Sequence, residues 1–146
     1  MTARGERAQQ LFNEGRNCAQ AVLAAYGDWL GLDEKTALTI SMGFGGGIGR
    51  CRSVCGAFSA MVMLAPYLAE ANNLDEDERP KVYAKVQAMK KAFEEVNGSI
   101  ICAEILKKPQ GAEDPTPEAR TDAYYHLRPC ARVIAHACYI LDDLSK

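Results

Sequence analysis

The sequence predicts an all-α protein, a compact single-domain bundle of six or seven helices over residues 1–146. Helix caps and helical spacing recur along most of the chain, and no stretch alternates apolar and polar residues over the length of a strand. The chain is 48% hydrophobic, which is enough to bury a core at a length that suits one domain.

The first half of the chain predicts four helices. The first covers residues 7–15 and stops at Gly15, and the second begins after the cap Asn17 and ends before Gly31. A third opens at Asp33 and leads into a glycine-rich loop.

The fourth helix is expected from about Val54 to Ala71, with Ser53 as its cap. Pro66 lies inside this segment and should kink the helix or end it early, because proline cannot donate the backbone hydrogen bond.

The second half predicts the longest helix, an amphipathic segment near Lys81–Asn97 that ends at Gly98. Ser99 can cap the next helix. Residues 109–120 contain three prolines and a glycine and are expected to form a loop before a short helix. Pro129 suits the first position of the last helix.

Composition excludes several classes of function. The formal net charge is −2 with no basic block, which argues against nucleic-acid binding. No apolar run approaches the roughly 20 residues that a membrane span needs. The first residues, MTARGERAQQLF, lack the apolar stretch of a signal peptide. We therefore expect a cytoplasmic location, where thiols stay reduced unless they bind metal or do redox work.

Six cysteines are many for a chain of this length. No CxxC pair is present, which makes a zinc ribbon or a thioredoxin-type motif a poor match, and no CxxCH motif indicates c-type haem. The six are Cys18, Cys51, Cys55, Cys102, Cys130 and Cys138.

Four of these cysteines fall in the expected first turns of four different helices, namely Cys18, Cys55, Cys102 and Cys130. A helix start offers unpaired N–H groups and a partial positive charge, which stabilise a thiolate. We expect these helix starts to face one region. A single cluster could not join cysteines more than about 15 Å apart, since metal–thiolate bonds are near 2.3 Å.

The other two cysteines differ in placement. Cys138 lies in the middle of an apolar helix and is expected to be a small core residue. Cys51 lies in the loop before the fourth helix, where it could be a fifth ligand, a resolving thiol or a bystander.

The glycine run GFGGGIG, with Gly45, Gly46 and Gly47 at its centre, has two open interpretations. No strand precedes it, so a dinucleotide-binding loop fails its context. The run could be a tight connection between helices. Alternatively, it could let the backbone pass close to a bulky group, with its N–H groups directed at sulfur or an anion.

The segments GRNCAQAVL, VCGAFSA, IICAEIL and RPCARVI together resemble the C_GCAxxG_C_C family of small redox-active proteins. The resemblance runs from about Ala8 to Leu144, and the four cysteines of the family pattern correspond to the same four at the expected helix starts. One position departs: the CGAxxG motif reads CGAFSA, with Ala60 in place of the last glycine. The resemblance implies a redox role without supplying a substrate.

Three functions follow as hypotheses. The first is a redox protein in which Cys18, Cys55, Cys102 and Cys130 bind an iron–sulfur cluster for electron transfer or sensing. The second is a metal-free thiol–disulfide protein that uses Cys51 with Cys55, or Cys55 with Cys18. The third is a structural zinc site with an interaction role.

We also expect a homodimer, a redox partner protein, and no dedicated organic substrate of a stand-alone enzyme. Inert, buried cysteines are the remaining alternative; serine substitutions would then cost only stability.

Overall fold

The computed structural model describes all residues 1–146 and is all-α, as predicted, with eight α-helices against the six or seven expected. Two of the eight, α6 and α7, are only one to two turns long. The helices are α1 (Ala3–Asn13), α2 (Cys18–Tyr26), α3 (Glu34–Ser41), α4 (Gly56–Leu68), α5 (Arg79–Asn97), α6 (Cys102–Leu106), α7 (Asp122–Leu127) and α8 (Cys130–Leu144).

Several helix starts and stops have the predicted chemistry. The Asn17 side chain accepts a hydrogen bond from the Gln20 N–H and the Gln20 side chain bonds back, which forms a capping box at α2. The Asp33 carboxylate accepts from the Thr36 N–H at 2.7 Å and caps α3. The longest helix is α5, and Gly98 ends it with a left-handed φ of 85°.

The predicted start of α4 is wrong by two residues. Ser53 does not cap the helix, because its carbonyl accepts a hydrogen bond from the Cys102 N–H and holds the chain extended. The helix therefore begins at Gly56. It passes through Pro66 and ends at Leu68, short of the expected Ala71.

The starts of α6 and α8 are also displaced from their predictions. Ser99 is two residues too early to cap α6: its hydroxyl accepts from the Ile101 N–H, and Ile101 is the cap residue. Pro129 occupies the cap of α8 rather than its first position, so that Cys130 is the first helical residue.

One contiguous core joins the six longer helices, α1 to α5 and α8. The most buried large side chains include Tyr26 and Leu23 of α2, Met61 of α4 and Phe93 of α5. None of the helices is both long and apolar enough to span a bilayer. The short helices α6 and α7 pack against this core through the partly buried residues Ile105, Tyr124 and Tyr125.

Candidate functional site

The starts of four helices surround one cavity of about 320 Å³. Cys18, Cys102 and Cys130 are the first residues of α2, α6 and α8, and Cys55 is the residue immediately before α4. All four side chains line the cavity, and none is in a disulfide. The structure thus brings together the four cysteines that the sequence selected as metal ligands.

A glycine lets the starts of α2 and α4 approach. A Cβ added to Gly56 would lie 2.8 Å from the Phe44 carbonyl oxygen and 3.2 Å from the Ala19 backbone nitrogen. Only a residue without a side chain fits there, and the close approach sets Cys18 beside Cys55.

An isolated antiparallel bridge between Val54 and Ile101 fixes two more cysteines relative to each other. The Cys55 N–H donates to the Ile100 carbonyl at 2.7 Å, and the Cys102 N–H donates to the Ser53 carbonyl at 2.6 Å. Cys55 and Cys102 are thereby held by the backbone, and both are buried.

The glycine run forms a left-handed turn at the cavity wall. Five consecutive residues, 46–50, have φ between 57° and 71°. Such a run is costly for residues with a Cβ, which explains the density of glycine. A Cβ at Gly47 would lie 2.6 Å from that of Cys102, so the backbone also passes directly against a candidate ligand. Gly45, Gly46 and Gly47 all line the cavity.

A buried guanidinium touches one of the thiols. Arg52 is 5% exposed, and its Nη1 donates to the Cys102 sulfur at 3.5 Å. Glu113 accepts from Arg52 Nε at 2.9 Å and from Arg50 Nη2 at 2.8 Å. These two guanidinium groups lower the pKa of Glu113 well below its usual range, with Arg52 the larger influence.

Two further arginines complete the cavity wall. Arg120 lies over the rings of Phe12 and Tyr124, with centroids at 4.6 and 4.9 Å, and donates to the Phe12 carbonyl at 3.0 Å. Arg128 pairs with Glu118. Cations therefore outnumber carboxylates around the cavity, which favours an anionic occupant.

Cys18 and Cys130 are the most closely coupled thiols. Hydrogen bonding with Cys18 lowers the pKa of Cys130 to about 7 against the opposing effect of burial, and the positive charge of Arg128 adds to it. The same interaction, together with burial, raises the pKa of Cys18. Proton loss therefore belongs to the pair, in which the remaining thiol and the charge of Arg128 stabilise the first thiolate.

Burial is the largest influence on the pKa of the Cys55 thiol. Burial raises the pKa of its thiol to about 12, although the Ala57 and Phe58 N–H groups at the start of α4 act in the opposite direction. An isolated thiolate there is unfavourable, and a cation bound to the sulfur would favour ionisation of Cys55.

The remaining cysteines lie away from this cavity. Cys138 is fully buried in α8 and belongs to the core, as predicted. Cys51 is half-buried and does not line the cavity; its carbonyl accepts from the Gly111 N–H at 3.1 Å. A redox pair of Cys51 with Cys55, or of Cys55 with Cys18, stays a prediction.

No group of three or more His, Cys, Asp or Glu side chains is arranged to hold one metal ion. A mononuclear zinc site needs sulfurs about 3.8 Å apart, given Zn–S bonds near 2.3 Å in a tetrahedron. The four thiols surround a cavity instead of converging on a point. Thiols are the side chains that bind iron–sulfur clusters, so the donor set of this cavity is of the kind that such a group requires.

Sequence reasoning missed the arginines and their partners. The arginines stand near cysteines in the chain, in RCR and RPC, which was an available signal. No sequence signal pointed to Glu113 or Glu118. Both lie in the proline-containing segment 109–120, which folds over the cavity. Glu113 pairs there with arginines about sixty positions away in the chain.

Replacing Glu113 with glutamine should reduce the pH dependence of stability. A carboxylate whose pKa is lowered on folding stabilises the fold above its ordinary pKa of 4.5 and loses this contribution as the pH falls below that value. Urea unfolding at about pH 6 and about pH 3.5 should show a smaller loss for Glu113→Gln than for the wild type. Glu95→Gln, on the exposed face of α5, should match the wild type, and an unchanged loss in Glu113→Gln would contradict the ion-pair assignment.

Fold and site define an all-α protein with four thiols around a cationic cavity. The family model described as "Putative redox-active protein (C_GCAxxG_C_C)" matches residues 16–144, and the chain belongs to this family. An uncharacterized protein of Archaeoglobus fulgidus is 30% identical over an alignment of 108 residues, and the match covers 68% of this chain and 71% of the relative. No solved structure matches the chain.

Proposed function

We propose that this redox-family protein holds an iron–sulfur cluster on Cys18, Cys55, Cys102 and Cys130, for electron transfer or sensing. The observation that carries the proposal is that four thiols from four helix starts line one cavity with excess positive charge. Four cysteinates suit a [2Fe–2S] or a [4Fe–4S] cluster, which supplies one-electron chemistry when bound.

The chain's own residues would support such a group in three ways. Arg52 donates a hydrogen bond to Cys102 and would stabilise negative charge on its sulfur. Met42, Ile105 and Val133 give part of the cavity an apolar lining that limits water. The segment 109–120 covers the cavity, since Pro115, Pro117 and Glu118 are among its lining residues.

Serine substitutions test the ligand set. Each of Cys18→Ser, Cys55→Ser, Cys102→Ser and Cys130→Ser should lose most of the iron and of the visible absorbance after anaerobic reconstitution, because serine is a poor ligand for these irons. Cys51→Ser should retain both, since Cys51 does not line the cavity. Retention of iron by any of the four variants, or its loss from Cys51→Ser, would contradict the assignment.

A second candidate is thiol–disulfide exchange by Cys18 and Cys130, which line the same cavity and whose interaction lowers the pKa of Cys130 to about 7. The Cys130 thiolate would attack a disulfide substrate and release one of its sulfurs as a thiol. The Cys18 sulfur would then displace the second, which leaves a Cys18–Cys130 disulfide and a reduced dithiol. Thiol counting and peptide mapping after a small disulfide oxidant test this: an unchanged count opposes it, and a Cys51–Cys55 disulfide would favour the pair chosen from sequence.

The other expectations remain proposals. Zinc as an alternative would require the four side chains to converge further than they do here. A homodimer, a redox partner protein and a cytoplasmic location are proposed on the sequence arguments given above, and analytical ultracentrifugation would test the first of them.

A further inference from the structure

We infer that the cavity wall made by Gly45, Gly46, Gly47 and Arg50 binds a small oxyanion, a carboxylate or an inorganic oxyanion, next to the thiols. The inference names the class of substrate that the same cavity binds. The role of the bound anion in redox chemistry rests on the proposed function.

Unpaired hydrogen-bond donors mark this wall. The N–H groups of Ile48 to Ser53 all donate to backbone carbonyls, whereas those of Gly46 and Gly47 make no such bond. The Nε–H of Arg50 is buried and also has no partner. Gly47 is buried and Gly46 is half-buried. A buried donor without an acceptor costs about 1–3 kcal/mol, so the Gly47 N–H and the Arg50 Nε–H together indicate an acceptor in the cavity.

The acceptor that fits is anionic. The Arg50, Arg52, Arg120 and Arg128 guanidinium groups line the cavity, and the carboxylates of Glu113 and Glu118 neutralise only part of their charge. Successive backbone N–H groups beside a guanidinium are a common arrangement for binding oxyanions. An inorganic sulfide of a cluster could accept from the same donors.

The wall lies against Cys102 and against Asn17, the residue that precedes Cys18. A Cβ at Gly47 would lie 2.6 Å from the Cys102 Cβ, and one at Gly45 would lie 2.6 Å from Cγ of Asn17, which precedes Cys18. An anion bound here would therefore be adjacent to the redox centre, which makes a small anionic molecule the substrate class.

The test uses the reduced, metal-free chain and compares its alkylation by iodoacetate with that by iodoacetamide. In both reactions a cysteine thiolate forms a bond to carbon and iodide leaves; only iodoacetate carries a carboxylate. Relative to free cysteine, the protein should favour iodoacetate over iodoacetamide roughly tenfold. Sulfate should suppress this preference more than chloride at the same ionic strength. A binding site distinguishes between the two anions, whereas screening depends only on the ionic strength.

Two variants distinguish specific binding of the anion at this wall from general attraction by the positive charge of the cavity. Arg50→Lys keeps the charge and removes the Nε–H, and Gly46→Ala strains a residue with φ of 66° and places a Cβ 2.7 Å from the Arg50 Cγ. Both should lose the preference while circular dichroism shows a folded chain. Lys91→Gln, on the exposed face of α5, should keep it.

The inference is overturned if the wild-type preference is no greater than that of free cysteine, or if sulfate and chloride act alike. It is also overturned if Arg50→Lys behaves as the wild type. If the N–H groups of this wall bind only the sulfide of a cluster, the metal-free chain would show no preference for iodoacetate. Because the assay contains no iron, its failure is distinct from failure of the cluster proposal.

Discussion

Replacing Gly47 with alanine should prevent binding of the proposed cluster and destabilise the fold by about 2 to 5 kcal/mol, the sum of left-handed strain and overpacking. Gly47 has φ of 71°, and an added Cβ would lie 2.6 Å from the Cys102 Cβ and 2.8 Å from the Arg52 Cα. The methyl group must displace Cys102, Arg52 or the turn itself. Iron content after anaerobic reconstitution and urea unfolding measure the two effects.

Gly49 provides the matched control. It lies in the same left-handed turn with φ of 57°, but a Cβ there would meet no atom within 4 Å. Gly49→Ala should therefore cost only the backbone strain, about 1 to 2 kcal/mol, and should bind as much iron as the wild type. Equal iron content in the Gly47 and Gly49 variants would show that the contact between Gly47 and Cys102 is not needed for iron binding.

Replacing Gly56 with alanine should separate the starts of α2 and α4 and so reduce iron binding. The added Cβ would lie 2.8 Å from the Phe44 carbonyl oxygen and 3.2 Å from Ala19, and both contacts are with rigid groups. Overpacking of this kind costs about 1–3 kcal/mol. Because Cys18 directly precedes Ala19 and Cys55 directly precedes Gly56, the displacement changes the spacing of two proposed ligands.

Ala60→Gly on the same helix is the control for stability alone. Ala60 is fully buried in α4, and glycine in a helix interior costs about 1 kcal/mol relative to alanine. This variant restores the glycine of the CGAxxG motif and should keep its iron while losing stability. If Gly56→Ala binds iron normally, or if Ala60→Gly loses as much iron as Gly56→Ala, the close helix approach does not position the ligands.

The sequence predicted the parts of the site that depend on local rules. The cap Asn17 placed Cys18 at the first position of α2, and the family pattern selected the four cysteines that line the cavity. The caps proposed for α4 and α6 were wrong because Ser53 and Ser99 flank a tertiary bridge, whose hydrogen bonds take precedence over capping propensity.

The remaining parts depend on tertiary contacts that no local pattern reveals. Glu113 meets Arg52 across 61 positions of sequence, and the proline-containing segment that carries it was expected only to be a loop. The glycine run predicted conformational freedom, but neither the left-handed turn nor its contact with Cys102 follows from composition. Both are consequences of how the helix starts pack.

The central claim, that four thiols at helix starts hold an iron–sulfur cluster, is tested most directly by assaying iron and acid-labile sulfide on protein purified without oxygen. The account predicts iron and sulfide in equal amounts, about two or about four of each per chain. Protein that holds neither element, and takes up neither on anaerobic reconstitution, would contradict it. Thiol counting would then decide between the Cys18–Cys130 pair, the Cys51–Cys55 pair and inert cysteines.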